Sequence, residues 1–105
     1  MKQIKLIIWD LDETFWQGTL TEGDITFSRR NAGIVKTLVQ RGIMQSIASK
    51  NSFDEAREIL RENGVWDFFV FPKIGWKSKG PLIAETISDM QLWPENVLFI
   101  DDNHL

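Results

Sequence analysis

The sequence contains no cysteine, only one histidine and no long apolar run. Without cysteine, the chain as given has no disulfide, no thiolate nucleophile and no cysteine-ligated zinc site. No segment is apolar enough for a signal peptide or a membrane span, so we expect a soluble, cytoplasmic protein without a membrane partner. The 15 acidic residues outnumber the 12 basic ones, so the net charge is −3, and this argues against nucleic acid as a partner. We expect the single histidine, His104, to be an exposed bystander.

The most informative stretch is an apolar run that ends in two carboxylates. Residues 4–9 are apolar except for Lys5, as in a buried central strand, and Asp10 and Asp12 follow directly. Residues two apart on an extended chain point the same way, so both carboxylates can face one site. In open α/β sheets, ligands bind beyond the carboxyl ends of the strands. The alternative is an acidic turn that only ends the strand.

The remaining chain alternates between helix and strand patterns. At 105 residues and 43% hydrophobic content it predicts one domain, spanning 1–105, with its own core. A short hairpin or flap is expected over 15–27, and residues 73–80 are expected to form a loop before a helix that begins near Pro81. The other predicted helices cover 29–41 and 52–64, and the other predicted strands cover 43–48, 68–71 and 97–100. This alternation predicts an α/β fold with a parallel sheet and right-handed crossovers.

Polar residues follow three of the four predicted strands. Ser49 follows the second strand, Asp101 and Asp102 follow the fourth, and a lysine precedes the third helix. Carboxylates are suitable ligands for Mg²⁺, and a hydroxyl and a lysine can bind a phosphoryl group. Each residue also has a structural explanation, because Ser49 can introduce a helix and a lysine near a helix start is often solvated. Their joint occurrence predicts a magnesium-dependent phosphoryl site.

Four segments in order resemble the motifs of the haloacid dehalogenase-like (HAD) superfamily. The segment 10–14 (Asp-Leu-Asp-Glu-Thr) resembles the first motif, 47–49 (Ile-Ala-Ser) the second, Lys79 the third and 99–102 (Phe-Ile-Asp-Asp) the fourth. Within the superfamily, the segments around them resemble subfamily III C, the branch with magnesium-dependent phosphatases and FkbH-like proteins. These segments are 14–18, 48–51 and 76–79.

The resemblance implies a Rossmann-like, three-layer fold and a role for each site residue. Asp10 would be the nucleophile that forms an aspartyl-phosphate, and Asp12 the general acid and base. Asp10, the backbone carbonyl of Asp12 and Asp102 would hold Mg²⁺, with Asp101 in support. Ser49 and Lys79 would bind the phosphoryl group, and we choose Lys79 over Lys77 and Lys73 because it lies beside Pro81. Lys50 and Asn51 either reach the substrate or only introduce the next helix.

The sequence departs from the family pattern in two ways. It stops three residues after Asp102, where the family continues through a further helix and strand, so we expect a truncated domain. The fourth strand would then lie at an open edge, and the chain would self-associate or need the missing segment. FkbH-like proteins resemble glyceryl transferases that load a carrier protein through a cysteine thioester. The absence of cysteine counts against that activity.

Two other functions compete with the phosphatase. A response-regulator receiver would need an aspartate after the third strand, where Phe71 and Pro72 stand instead. A non-catalytic binding module with the same fold stays open. No cap domain fits between the motifs, so the site is predicted to be capless. Such a site suits a phosphorylated substrate that is large or macromolecular.

Overall fold

The computed structural model describes residues 3–102 and contains six strands and three longer α-helices there. In chain order they are β1 (Leu6–Trp9), β2 (Trp16–Gln17), β3 (Thr26–Phe27), α1 (Arg29–Gln40), β4 (Met44–Lys50), α2 (Phe53–Glu62), β5 (Lys73–Gly75), α3 (Lys79–Asp89) and β6 (Val97–Ile100). His104 lies outside the described residues. Within residues 3–102, no helix is both long and apolar enough to cross a membrane.

Four strands form one parallel sheet in the order β5-β4-β1-β6. The predicted central position of the first strand is confirmed, since β1 pairs with β4 on one side and β6 on the other. All four residues of β1 are buried, because both faces of a parallel sheet carry helices. The predicted parallel α/β fold is confirmed.

The two faces of the sheet carry separate apolar clusters. Ile7 and Trp9 point to one face, where they join Val35 of α1 and Leu60 of α2. The alternate residues of β1 point to the opposite face, where Ile83 of α3 is among the side chains that pack against them. This arrangement gives the predicted three layers, with the sheet in the middle.

Helix α1 agrees with its predicted span to within one residue. The Ser28 hydroxyl caps its start by accepting a hydrogen bond from the Asn31 backbone N–H at 3.0 Å. Gly42 follows its end with a φ of 85°, a left-handed conformation that a residue without Cβ adopts without strain. These terminal signals are local in sequence, which explains the close agreement.

The third strand of the sheet was predicted in the wrong place. The strand is β5, Lys73–Gly75, within the segment predicted as a loop, whereas 66–68 form a 3₁₀ turn. Phe69 makes only an isolated bridge to Gln45, and its ring packs edge-on against Phe15 at 5.7 Å. The apolar run at 68–71 therefore belongs to a turn that buries Phe69 in the core and leaves Phe71 exposed, rather than to a paired strand.

The expected flap is present and is the only insertion between β1 and α1 in the described structure. Strands β2 and β3 pair as a short antiparallel hairpin, with Trp16 opposite Phe27. Trp16 is fully buried, so the hairpin is anchored to the domain core at its base. No cap domain interrupts residues 3–102, as predicted.

Candidate active site

The parallel sheet brings the predicted site residues to one edge. In register, Trp9 lies opposite Ile47 of β4 and Ile100 of β6. The backbone N–H of Asp10 donates to the carbonyl of Ile100 at 2.9 Å. Asp10 therefore leaves β1 next to the point where Asp101 leaves β6. Ser49, two residues beyond Ile47, lies at the same end of the sheet and is 1% exposed.

Asp10 is a buried carboxylate with a partner on each oxygen. Its Oδ1 accepts from the backbone N–H of Leu11 at 2.8 Å, and its Oδ2 accepts from Lys79 Nζ at 2.9 Å. The residue is only 8% exposed, so the lysine compensates a charge that is largely removed from water. The contact joins residues 69 positions apart in the chain, one at the end of β1 and one at the start of α3.

The structure distinguishes two of the three candidate lysines. Lys79 begins α3, and its Nζ also lies 5.9 Å from the centre of the Phe99 ring of β6. Lys73 instead forms an ion pair with Glu85 on α3. Its hydrogen bond lowers the pKa of the Glu85 carboxyl and raises the pKa of Lys73. Lys73 therefore stabilises the contact between β5 and α3, whereas Lys79 contacts the predicted nucleophile.

The chain does not stay extended after Asp10. Residues Leu11–Phe15 form a wide, irregular turn, in which Asp12 is extended (φ −58°, ψ 131°) and Glu13 lies in the left-handed region at a φ of 58°. The two carboxylates consequently have different partners. Asp12 Oδ1 accepts from Trp16 Nε1 at 2.9 Å and from the Leu20 backbone N–H at 3.0 Å. Its Oδ2 accepts from Asn51 Nδ2 at 3.1 Å.

Asn51 connects the Asp12 segment to two strands. It is fully buried, and its backbone N–H donates to the carbonyl of Gly75 in β5 at 3.0 Å. Its Oδ1 accepts from the backbone N–H of Ser52 at 3.1 Å. Lys50, by contrast, is exposed. The sequence singled out Asn51 without separating its two interpretations, and it gave no role to Trp16.

A second asparagine holds the turn from the other side. Asn31, in the first turn of α1, donates through Nδ2 to the carbonyls of Thr14 and Phe15 at 3.1 and 3.0 Å. Sequence reasoning missed this residue. Its position three residues after the Ser28 cap indicates a helix start but not which loop its side chain meets.

The donor set at this edge fits a hard divalent cation. Within residues 3–102, no three His, Cys, Asp or Glu side chains lie close enough together to hold a metal ion. The expected ligands are only two carboxylates, Asp10 and Asp102, with the backbone carbonyl of Asp12. Asp102 is exposed just beyond β6, next to the strand that carries Asp10. Mg²⁺ needs few protein ligands of this kind, because waters and phosphate oxygens complete its shell.

Solved structures share this α/β fold. The N-terminal part of a Bacteroides fragilis protein, which contains a phosphatase domain and was solved with Mg, superposes with a TM-score of 0.82 at 24% identity. The alignment covers 97% of this chain and 31% of that one. No family model and no curated protein matches the sequence.

Two further structures are sugar-phosphate phosphatases. The 3-deoxy-D-manno-octulosonate 8-phosphate phosphatase of Moraxella catarrhalis, solved with magnesium, phosphate and KDO, gives a TM-score of 0.74 at 21% identity. The cobalt-bound deoxy-D-mannose-octulosonate 8-phosphate phosphatase of Haemophilus influenzae gives 0.74 at 22%. They are covered over 59% of their length, and this chain over 96% and 95% respectively. At these identities the likeness establishes the fold, and the chain spans well under two thirds of each protein.

Proposed function

We propose that the chain is a magnesium-dependent phosphatase domain of the HAD superfamily that hydrolyses a phosphoric monoester. The observation that carries the proposal is the buried Asp10 at the end of the central strand, in contact with Lys79 from the third helix. The superfamily resemblance assigns these two positions to the nucleophile and the phosphate-binding lysine. The shared fold with phosphatases solved with Mg supports the same assignment. We keep subfamily III C as the expected branch.

In the proposed reaction, Asp10 attacks phosphorus and forms an aspartyl-phosphate while the bond to the leaving oxygen breaks. Asp12 gives its proton to that oxygen, and the alcohol leaves. A water then loses a proton to Asp12 and attacks phosphorus, which releases phosphate and regenerates both carboxylates. Lys79 and Ser49 bind the phosphoryl oxygens. Asp10, the Asp12 carbonyl and Asp102 would hold Mg²⁺, which would supply positive charge that reduces repulsion between carboxylate and phosphate.

The openness of the site bears on the substrate class. The flap at residues 15–27 is the only insertion between β1 and α1 in the described part of the chain. The domain therefore offers little surface to enclose a small substrate. We therefore propose that the substrate is a phosphoester on a large molecule or macromolecule. Sugar phosphates, of the kind named for the Moraxella catarrhalis structure, are the small substrates to compare with it. Glyceryl transfer to a carrier protein is the weaker alternative, since these 105 residues contain no cysteine to form a thioester.

Hydrolysis of 4-nitrophenyl phosphate with and without Mg²⁺ tests the proposal. We expect turnover that depends on Mg²⁺ and that disappears in Asp10→Asn. The matched control is Asp67→Asn, which alters an exposed carboxylate in the 3₁₀ turn at 66–68. A folded wild-type protein that hydrolyses neither this ester nor a panel of sugar and protein phosphates would support a non-catalytic binding module instead.

A further inference from the structure

Asn51 has the contacts of a positioning residue, and this inference rests on the proposed function. Its backbone N–H and both ends of its side-chain amide have partners in the structure: the backbone N–H donates to Gly75, Oδ1 accepts from Ser52 and Nδ2 donates to Asp12. The side chain is fully buried, at the point where β4 ends and α2 is about to begin. Because one end of the side-chain amide meets a donor, the Ser52 N–H, and the other meets an acceptor, the amide has one orientation, with Nδ2 directed at the Asp12 carboxylate.

The contacts of Asp12 distinguish its two oxygens. A carboxylate offers about four lone-pair positions, two on each oxygen. Trp16 and the Leu20 backbone occupy both positions on Oδ1, whereas Asn51 occupies one position on Oδ2. The hydrogen bonds within residues 3–102 therefore leave one lone pair on Oδ2 and none on Oδ1. A proton can be carried at Oδ2 without breaking any of these three contacts.

We infer that Asn51 positions Asp12 so that Oδ2 is the oxygen that transfers the proton. In the first step, Oδ2–H protonates the leaving oxygen as its bond to phosphorus breaks. In the second, Oδ2 takes a proton from the attacking water. Asn51 Nδ2 stays on the same oxygen throughout, since a protonated carboxyl oxygen still accepts a hydrogen bond. The amide thus fixes the direction of the remaining lone pair.

Exchanging the two side chains tests the contact without measuring activity. In Asp12→Asn, the new amide has one acceptor oxygen, whereas three donors surround it: Trp16, Leu20 and Asn51. In either orientation of that amide, its NH₂ group therefore faces at least one of these donors. In Asn51→Asp, two carboxylates face each other in a buried site. We expect each single variant to lower the equilibrium constant for folding by about tenfold or more, as for loss of a charge-assisted hydrogen bond.

The double variant Asp12→Asn with Asn51→Asp should recover most of that loss. The introduced amide at position 12 can accept from Trp16 and Leu20 through its oxygen and donate to the introduced carboxylate at position 51. The measurement is urea unfolding of all four proteins. Additive destabilisation in the double variant would overturn the contact between residues 12 and 51. The double variant should stay inactive, because the amide at position 12 carries no transferable proton.

Leaving-group dependence tests the proton-transfer part. An alkyl phosphate needs protonation of its leaving oxygen, whereas 4-nitrophenolate leaves without it. We expect Asn51→Ala to lower kcat/KM, which reports the steps up to aspartyl-phosphate formation, by about 10²-fold for an alkyl phosphate, as for a misplaced catalytic group, and by less for 4-nitrophenyl phosphate. Asn63→Ala, which removes an exposed asparagine side chain, is the control.

The outcomes separate this inference from the proposed function. Equal losses of kcat/KM for both esters in Asn51→Ala would overturn the positioning of proton transfer to the leaving oxygen while leaving the phosphatase intact. If Asn51→Ala fails to fold, Asn51→Ser supplies the same comparison with a smaller loss of volume. A folded wild-type protein that hydrolyses neither ester would remove the proposed function and the proton transfer with it. Recovery in the double variant would then support the contact alone.

Discussion

Asp10 is the residue on which the proposed chemistry depends most directly. Replacing it by asparagine keeps the volume and the acceptor for the Leu11 N–H but leaves Lys79 without a charged partner. We expect turnover of Asp10→Asn to fall to the background rate, since an amide oxygen is a poor nucleophile. The folded state should survive with a loss of about 1.5–3 kcal/mol, the range for a hydrogen bond to a charged group.

Fluoride trapping identifies the nucleophile independently of rate. Beryllium fluoride with Mg²⁺ should give a phosphoryl analogue bound to Asp10 and not to Asp12 in a crystal structure. Full turnover by a well-folded Asp10→Asn protein, or an analogue on Asp12, would contradict the assignment.

Asp12→Asn should separate catalysis from metal binding. Its expected contribution to the Mg²⁺ site is the backbone carbonyl, which the substitution retains. We expect calorimetric Mg²⁺ affinity to change little while turnover falls by about 10²–10⁴-fold, the usual contribution of general acid–base catalysis. Loss of Mg²⁺ binding in this variant would instead make the Asp12 side chain a metal ligand.

Thr14 carries a polar atom with no visible function in the fold. Its Oγ1 is buried and has no hydrogen-bond partner within residues 3–102. An unsatisfied buried hydroxyl costs about 1–3 kcal/mol, so Thr14→Val should raise the free energy of unfolding by about 1 kcal/mol. Urea unfolding without substrate measures this. A destabilised Thr14→Val protein would show that the hydroxyl has a partner in solution.

At the scale of elements, Asn31 joins α1 to the turn that carries Asp12. Asn31→Ala would leave the carbonyls of Thr14 and Phe15 without their side-chain donor. We expect a loss of about 1–3 kcal/mol in unfolding free energy, together with faster amide exchange in the turn 11–15. Asn63→Ala, on the exposed end of α2, should cost under about 0.5 kcal/mol. Equal costs in the two variants would mean that Asn31 does not stabilise the turn.

The elements that sequence patterns located well have local signals at both ends. Helix α1 begins at a Ser28 cap and ends before Gly42, and β6 follows the Trp93-Pro94 turn. Strand β5 has no such signal, because three residues between Pro72 and Trp76 carry one apolar side chain, Ile74. Its strand character comes from pairing with β4, a contact that is distant in sequence.

The same distinction applies to the site. The positions of Asp10 after a strand and of Lys79 before a helix can be read from the sequence, and the structure brings the two side chains into contact. The partners of Asp12 were not found, since they depend on the wide turn at 11–15 and on the left-handed Glu13 within it. A one-residue change in that turn would redirect the carboxylate, so spacing alone could not specify Trp16 or Asn51.

At the scale of the whole molecule, the four-strand sheet is open within residues 3–102, with β5 at one edge and β6 at the other. Strand β6 pairs only with β1 there. On the β1 side, the carbonyls of Asn96 and Ile100 accept hydrogen bonds from the backbone N–H groups of Lys5 and Asp10. The backbone groups of the alternate residues, Val97 and Phe99, therefore point outward. Leu98 adds an apolar side chain that is 46% exposed. An unpaired edge with apolar neighbours is a surface on which another strand can pair.

We therefore expect this chain either to self-associate through β6 or to need a further segment that covers this edge. Sedimentation should show a mass that rises with protein concentration, and the amides of Val97 and Phe99 should exchange more slowly as it rises. Leu98→Lys places a charge beside the edge and should shift the protein toward monomer, as charged residues do on natural edge strands. Phe71→Lys is the matched control, since Phe71 is 50% exposed but lies outside the sheet edge at β6. A wild-type protein that stays monomeric across a wide concentration range, with rapid exchange at Val97 and Phe99, would show that the edge is tolerated unpaired.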